Sequence, residues 1–387
     1  MLTPLTEVQR EIVDLARRFA AEEIAPHAAR WDREACFDRS VAEKLGALGF
    51  LGMMIPEEYD GLGLDTLTYL IALEEIATAD ASTAVLMSVH NSLPTQMLLN
   101  FGTDGQKERF LRPMARGEKL GAFALSEPDA GSDASSLRCR AERDGDDWVL
   151  TGTKSWVTTG SHADVIIVIA RSAPLGEHKS RGISAFIVTP DLPGFHVGKK
   201  EDKMGLRASP TVQLNFDGMR VPAANLLGEE GQGFVYAMRS LDHGRLGIAA
   251  QALGIARAAL EHALDYANER VQFGKPIRDF QAIQFKLADM GSRIASARAL
   301  LHATAVAKDH GASTTLYGAM SKLLASETAM AVTTQAVQIF GGYGYVTDYP
   351  VERLFRDAKV TEIYEGTSEI QRIVIARELI AERHDVT

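Results

Sequence analysis

The spacing of apolar and polar positions changes twice along the chain and divides it into three stretches. The first, residues 1 to about 118, repeats at helical period. Thr6 can cap a first helix with Gln9 as its capping-box partner, and Val8, Ile12, Leu15 and Phe19 form one apolar face. Pro26 follows the end of that run. Further helices are expected at about 40–48, 67–79, 82–101 and 105–115, with the loop PEEYDGLGLD at 56–65.

Near Lys119 the period shortens to two. Leu137, Cys139 and Ala141 alternate with Arg138, Arg140 and Glu142, and the acidic turn at 144–147 leads into WVLTGTKSWVTTG. Residues 165–170 and 183–188 are continuous apolar, β-branched runs, and Val212, Leu214 and Phe216 alternate with Thr211, Gln213 and Asn215. Short strands divided by Gly, Pro and Asp turns predict a small β-barrel or sandwich. From Gly233 the helical period returns in long elements ending near 271, 307 and 340. A glycine-dense loop and a final helix follow. The predicted architecture is α+β and multidomain: an N-terminal α-helical domain (1–118), a middle β domain (119–230) and a C-terminal antiparallel four-helix bundle (231–387).

Composition narrows the function classes. The chain has 387 residues, 46% apolar and 24% charged, with net charge −10. Charges of both signs are interspersed, so no basic footprint for nucleic acid exists. No stretch is apolar for eighteen residues and no apolar signal core opens the chain, so no membrane association is expected. Two distant cysteines, Cys36 and Cys139, suggest a reducing, cytoplasmic setting. None of the ten histidines sits in HExxH or ExxH spacing, and GxSxG is absent. Zinc-protease, di-iron and hydrolase chemistries fall away, and no metal is expected.

Five stretches can carry chemistry. IYEGTSEIQR (363–372) holds Glu365 between Tyr364 and Gly366, just ahead of the helix caps Thr367 and Ser368. It suits a proton-abstracting base, but by itself reads more readily as a loop acid complementing a helix start. FALSEPDAGSD (123–133) offers amides and hydroxyls that can wrap a polar ligand edge or serve their own turn. KSWVTTG (154–160) puts Trp156 and Thr158 on one strand face, suited to a planar cofactor or to core packing. RVQFGKPIRDFQ (270–281) carries Arg270 and Gln272, able to hold a diphosphate or to finish a helix. The run 338–357 contains Gly341, Gly342 and Gly344 but follows no strand, so it is neither a P-loop nor a dinucleotide fingerprint.

In this order, on a helical–β–helical plan, the five stretches resemble the acyl-CoA dehydrogenase family. ALSEPDAGSDASS (124–136) and the run 338–357 match its signature patterns, and the likeness extends from about residue 5 to about 380. The resemblance implies a homotetramer, a dimer of dimers, with FAD in each subunit. Such an enzyme oxidises a fatty acyl-CoA to the trans-2-enoyl-CoA and passes electrons to an electron-transferring flavoprotein. By position, Phe123, Leu125, Ser126, Ser132, Trp156 and Thr158 would line the flavin. Arg270, Gln272, Phe273, Gln281, Gln338 and Gly342 would hold the diphosphate and adenine across a subunit contact, with Thr367 and Glu369 on the same cofactor. Ser132, Asp242 and Arg245 would lie near the thioester or pantetheine arm, and Tyr364 and Gly366 beside the reacting carbons.

The resemblance makes Glu365 the catalytic base. Some family members carry the base on the long helix, immediately before the arginine matched by Arg245; here that residue is Gly244, which has no side chain to do so. LDHGRLGIAAQALGIA (241–256), MSVHNSL (87–93) and VGKKEDKMGLRAS (197–209) look most like the short-chain, butyryl-CoA branch. A short- to medium-chain substrate is therefore expected. Two rivals remain: an acyl-CoA oxidase using oxygen, typically longer by a helical domain, and a non-catalytic acyl-CoA- or flavin-binding scaffold, against which Glu365 argues.

Overall fold

The computed structural model describes residues 3–174 and 178–384. Helix α1 (Glu7–Phe19) opens on the expected box, with Gln9 N donating to Thr6 Oγ1 and Thr6 N donating to the Gln9 side chain. Its buried row is Gln9, Val13, Ala16 and Phe19, which corrects the expected one: Val8 is 53% exposed. Pro26 does not end the helical run. A π-helical turn (Ala20–Ile24) leads directly into α2 (Ala25–Glu34), whose first turn accommodates a residue without an N–H. Helix α3 (Arg39–Ala47) precedes α4 (Thr66–Ala79) and α5 (Ala81–Ser92), which are capped by Asp65 and Asp80. The single helix expected over 82–101 is two, because Leu93 (φ −111°, ψ −80°) leaves helical geometry before Pro94 opens α6 (Pro94–Phe101). Short α7 (Asp104–Gln106) and α8 (Arg112–Ala115) flank a second π-turn.

The β region is one eight-stranded sheet. Its strands are β1 (Gly121–Ala124), β2 (Arg140–Asp144), β3 (Asp147–Thr158), β4 (Val165–Arg171), β5 (Ile183–Val188), β6 (Phe195–Lys200), β7 (Thr211–Val221) and β8 (Leu226–Leu227). The order is β6-β7-β3-β2-β4-β5-β8, with β1 parallel to β4. Trp148 of β3 and Phe186 of β5 meet edge-on at 5.2 Å although β2 and β4 lie between them in the sheet. The sheet therefore curls around its own core. The opposite face of β4 and β5 (Ile167, Ile169, Ile183, Ile187) packs on Met97, Phe110 and Met114. Burial on both faces is why these strands read as unbroken apolar runs.

Three long helices follow: α9 (Gly233–Glu269), α10 (Gln281–Asp309) and α11 (Thr315–Phe340), with the hairpin β9–β10 (Val271–Gln272, Lys275–Pro276) between the first two. The four expected helices become five. Between the glycine-dense segment and the terminal helix α13 (Ser368–His384) stands α12 (Pro350–Val360), which buries Val351, Leu354 and Ala358. Leu70 and Leu73 of α4, Leu246 and Leu253 of α9 and Val332 of α11 belong to one core, so the first and last helical stretches close on each other. Glu75 of α4 receives Arg257 of α9 at 2.8 Å, and Glu74 receives Arg298 of α10 at 2.6 Å. Buried His90 of α5 joins helices to sheet. Its Nδ1 accepts from Gly121 N at 3.1 Å, so the proton sits on Nε2, which donates to Met114 O at 3.1 Å. Among the described residues, no helix is long and apolar enough to cross a membrane.

Candidate active site

Glu365 lies in the short link between α12 and α13, where Glu365 (φ 51°) and Gly366 (φ 92°) both adopt left-handed backbone. For a glutamate this conformation is strained by about 1–3 kcal/mol, so the surroundings must hold it. They do so through the carbonyls. Gln371 Nε2 donates to Glu365 O at 3.1 Å and to Gly366 O at 2.9 Å, and Lys322 Nζ of α11 donates to Gly366 O at 2.8 Å. The turn sends the side chain onto α9, where a Cβ built on Gly244 would overlap Glu365 Oε2. Both carboxylate oxygens are shut off from solvent without a hydrogen-bond partner, although other atoms of the residue remain accessible.

An unpartnered buried carboxylate is a poor anion and a strong base. Burial pushes the Glu365 carboxyl up to about 7, against the opposing pull of Lys322 and Arg245. Tyr364 turns its hydroxyl to Gln251 Oε1, and Gln251 Nε2 in turn reaches Ala81 O at 2.7 Å. Asp242 and Arg245 pair one helical turn apart on α9, and Thr315 Oγ1 donates to Asp242 Oδ2 at 3.1 Å. Thr367 caps α13 by accepting from Ile370 N at 3.3 Å, while Glu369 is exposed in its first turn. Ser368, expected as an alternative cap, is instead inside the helix with its hydroxyl buried and unpartnered.

A second cluster forms where the loop after β1 meets the end of β3. Ser155 N donates to Ser126 O at 2.9 Å, and buried Lys154 reaches Leu125 O at 2.9 Å and Glu127 Oε1 at 2.7 Å. Glu127 also accepts from Arg138 N and Cys139 N, so this loop is pinned from three sides. The simple alternation expected between Trp156 and Thr158 is broken by an irregularity in the β3–β7 register between Lys154 and Val157, with Trp156 at φ 60°. The outcome still turns both away from the core. Val157 is buried between them, Trp156 is 62% exposed and Thr158 half-buried. Phe123, Leu125 and Ser126 are half-buried beside them, and Ser132 is exposed.

The third cluster stands at the end of the helical bundle. Phe273, at the tip of the β9–β10 hairpin, is 93% exposed. The Arg270 guanidinium lies 5.3 Å from the Tyr343 ring, which ties the hairpin to the segment carrying Gly341 and Gly342. Gln272, Gln281, Gln338 and Gly342 are exposed there too. Of the glycines, Gly344 is a packing residue, since a Cβ there would overlap Val337 O, whereas Gly341 and Gly342 border open space. Among the described residues, no hydrogen bond or ring contact joins this cluster to Glu365 or Trp156.

Comparison with known proteins matches each of the three stretches to one family: the acyl-CoA dehydrogenase N-terminal domain over residues 6–118, middle domain over 122–219 and C-terminal domain over 231–380. The chain belongs to the acyl-CoA dehydrogenase family. It is an FAD-dependent oxidoreductase by that membership. A curated relative, the mitochondrial short-chain specific acyl-CoA dehydrogenase of Mus musculus, is 51% identical over 376 residues, covering 97% of this chain and 91% of its own. Butyryl-CoA dehydrogenase from Megasphaera elsdenii superposes with a TM-score of 0.96 at 47% identity, covering 98% of this chain and all of its own. A chain from a structure of the electron transferring flavoprotein of Acidaminococcus fermentans fits equally well, with a TM-score of 0.96, 47% identity and coverage of 98% and 99%.

The residues present suit the family's cofactor. An indole held outward on left-handed backbone, beside the Thr158 hydroxyl and the pinned Leu125–Ser126 loop, is costly to expose unless a flat ring covers it. The sequence pattern did not single out Lys322, Gln371 or Gln251. Lys322 did leave a signal: it shares the packed face of α11 with Gly318, Ala319, Ala325 and Ser326, where a charge has no solvent to reach.

Proposed function

We propose that the protein is a short- to medium-chain acyl-CoA dehydrogenase in which Glu365 removes the α-proton of the thioester. The observation that carries this is the buried, unpartnered Glu365 carboxylate lying against the side-chain-free surface of Gly244. A free carboxylate with a pKa of about 4.3 is too weak a base for such a proton. Desolvation raises Glu365 to about 7, so its ionised form is a much better acceptor at neutral pH. Among the described residues nothing accepts the Glu365 N–H, which leaves it available to the carbonyl oxygen of a thioester as negative charge develops there. When bound, FAD supplies the acceptor for the β-hydride. Leu125, Ser126, Trp156 and Thr158 would border its ring system, with Phe123 and Ser132 nearby. Arg270, Gln272, Phe273, Gln281, Gln338 and Gly342 would hold its diphosphate and adenine, and Thr367 and Glu369 would touch it from the start of α13. Asp242, Arg245, Ser132, Tyr364 and Gly366 would orient the acyl-CoA.

In this reading residues 1–118, 119–230 and 231–387 act as three domains of a cytoplasmic homotetramer, a dimer of dimers. The apolar surface at Val271, Phe273 and Phe285 supports burial against another subunit. Electrons would pass to an electron-transferring flavoprotein, a reading supported by the likeness to the Acidaminococcus chain. A short acyl chain is supported one turn along α9 from Gly244, where a Cβ on Gly247 would collide with the Ser88 hydroxyl and meet Tyr69 Oη at 3.1 Å. The deciding experiment is anaerobic mixing with butyryl-CoA while flavin absorbance is followed. Glu365→Gln is expected to slow flavin reduction by at least about 10²–10⁴-fold with FAD still bound. Reduction at the wild-type rate would overturn the assignment.

A further inference from the structure

We propose that Lys322 is a positioning residue for this reaction: its buried amine grips the Gly366 carbonyl and so holds the turn that aims the Glu365 carboxylate at Gly244. The proposal rests on Glu365 being the base. Lys322 is fully buried in α11, yet it forms no ion pair within 4.0 Å among the described residues. Its one hydrogen bond runs to Gly366 O at 2.8 Å. A buried ammonium spent on a neutral carbonyl is an expensive arrangement unless that carbonyl must stay put. Gly366 O is also held by Gln371 Nε2, which reaches across to Glu365 O as well. The two side chains therefore grip successive carbonyls of a left-handed pair whose first residue is not glycine. Released, Glu365 would relax toward ordinary backbone geometry and its carboxylate would leave α9.

Lys322 has a second lever, its charge. The charged or titratable groups facing Glu365 are Lys322 from α11, Arg245 from α9, Tyr69 from α4 and the adjacent Tyr364. Glu362 and Glu369 act on Lys322 from the flanks of the turn. Burial pushes Lys322 down to about 8, so it is cationic at neutral pH and favours the ionised carboxylate. Gln371 grips without charge. The two residues thus separate geometry from electrostatics.

The test compares Lys322→Met, nearly isosteric and apolar, with Gln371→Met, both as FAD-loaded enzymes reduced anaerobically by butyryl-CoA across pH 5 to 9. Lys322→Met is expected to lower the limiting reduction rate roughly 10- to 100-fold with a small change in substrate affinity. It should also move the acid limb of the profile upward by about one pH unit. Gln371→Met should lower the rate by roughly tenfold while leaving the acid limb where the wild type has it. A Lys322→Met enzyme with wild-type rate and acid limb, altered only in melting temperature, would overturn the proposal. Should that variant not fold, a wild-type limiting rate in Gln371→Met overturns the carbonyl grip by itself. Glu365→Gln run alongside keeps the two readings apart: its inactivity upholds the base whatever the lysine variant does.

Discussion

Lys154 and Lys322 are both fully buried and both lie near a glutamate, yet the two sites are built on opposite plans. At the first, Lys154 donates to Glu127 Oε1 at 2.7 Å, and the same carboxylate accepts two backbone N–H groups. Both oxygens are engaged, and the effect is to tie the loop after β1 to β3. At the second, Lys322 bypasses the Glu365 carboxylate and holds the carbonyl of the next residue, Gly366, leaving both carboxylate oxygens bare. A carboxylate with both oxygens engaged fastens the fold, and its hydrogen bonds favour the ionised form; one without partners retains its basicity. The same two residue types thus give a clamp beside the sheet and, in the function proposed above, a base in the helical bundle.

Breaking the clamp should have the largest effect. Lys154→Met strands the Glu127 charge in the interior and is expected to destabilise the protein by about 3–5 kcal/mol. Chemical denaturation monitored by circular dichroism measures this, and flavin content after gel filtration shows whether the Leu125–Ser126 loop has lost its hold. A loss below 1 kcal/mol would mean that the site is not the closed network described.

Crowding the reactive carboxylate comes next. Gly244→Ala adds a Cβ where Glu365 Oε2 now rests, and the flexible end of that side chain can shift aside. Activity is expected to fall roughly 10- to 100-fold, the scale set by a displacement of about 1 Å. Stability should rise by about 0.5–1 kcal/mol, since alanine replaces glycine in a helix interior. Opposite signs in turnover and melting temperature distinguish this from general damage.

The smallest effect is one of pH. As the proposed base Glu365 must be ionised to accept a proton, and burial raises its pKa to about 7. In the free enzyme, kcat/KM should therefore fall by about tenfold per unit as pH drops below that value. A limb near pH 4.5 instead would show the carboxylate to be solvated and the contrast with Glu127 to be lost.

Much of this was legible in the residues. Thr6 and Gln9 announced their box, and the apolar runs at 165–170 and 183–188 announced strands, though not that both faces are covered. What escaped depended on three-dimensional choices that spacing leaves open. On α1 two apolar rows compete, and only the neighbours decide that Val13 and Ala16 face inward. Pro26 reads as a stop until a π-turn delivers it to a helix start. The register slips between Lys154 and Val157, burying Lys154 and Ser155 in succession, although Trp156 and Thr158 still share the outward face. Lys322 reaches the site through a carbonyl 44 residues away and through its charge, neither of which a local pattern can encode.

The histidine that joins α5 to β1 makes the seam between helices and sheet sensitive to acid. His90 stays neutral because burial pushes its pKa down to about 4, and its Nδ1 must remain bare to accept the Gly121 N–H. The unfolded chain binds that proton near pH 6.5, so the contribution of this joint is whole above pH 6.5 and drains away as pH falls toward 4. Below that point a protonated ring presents a donor to a donor, and the first strand is pushed off the helices. That strand leads straight into Leu125 and Ser126. Acidification should consequently loosen the loop that borders the flavin, and flavin fluorescence in the filtrate reads its release, while His243 and His302, also held neutral by burial, load the helical bundle over the same range.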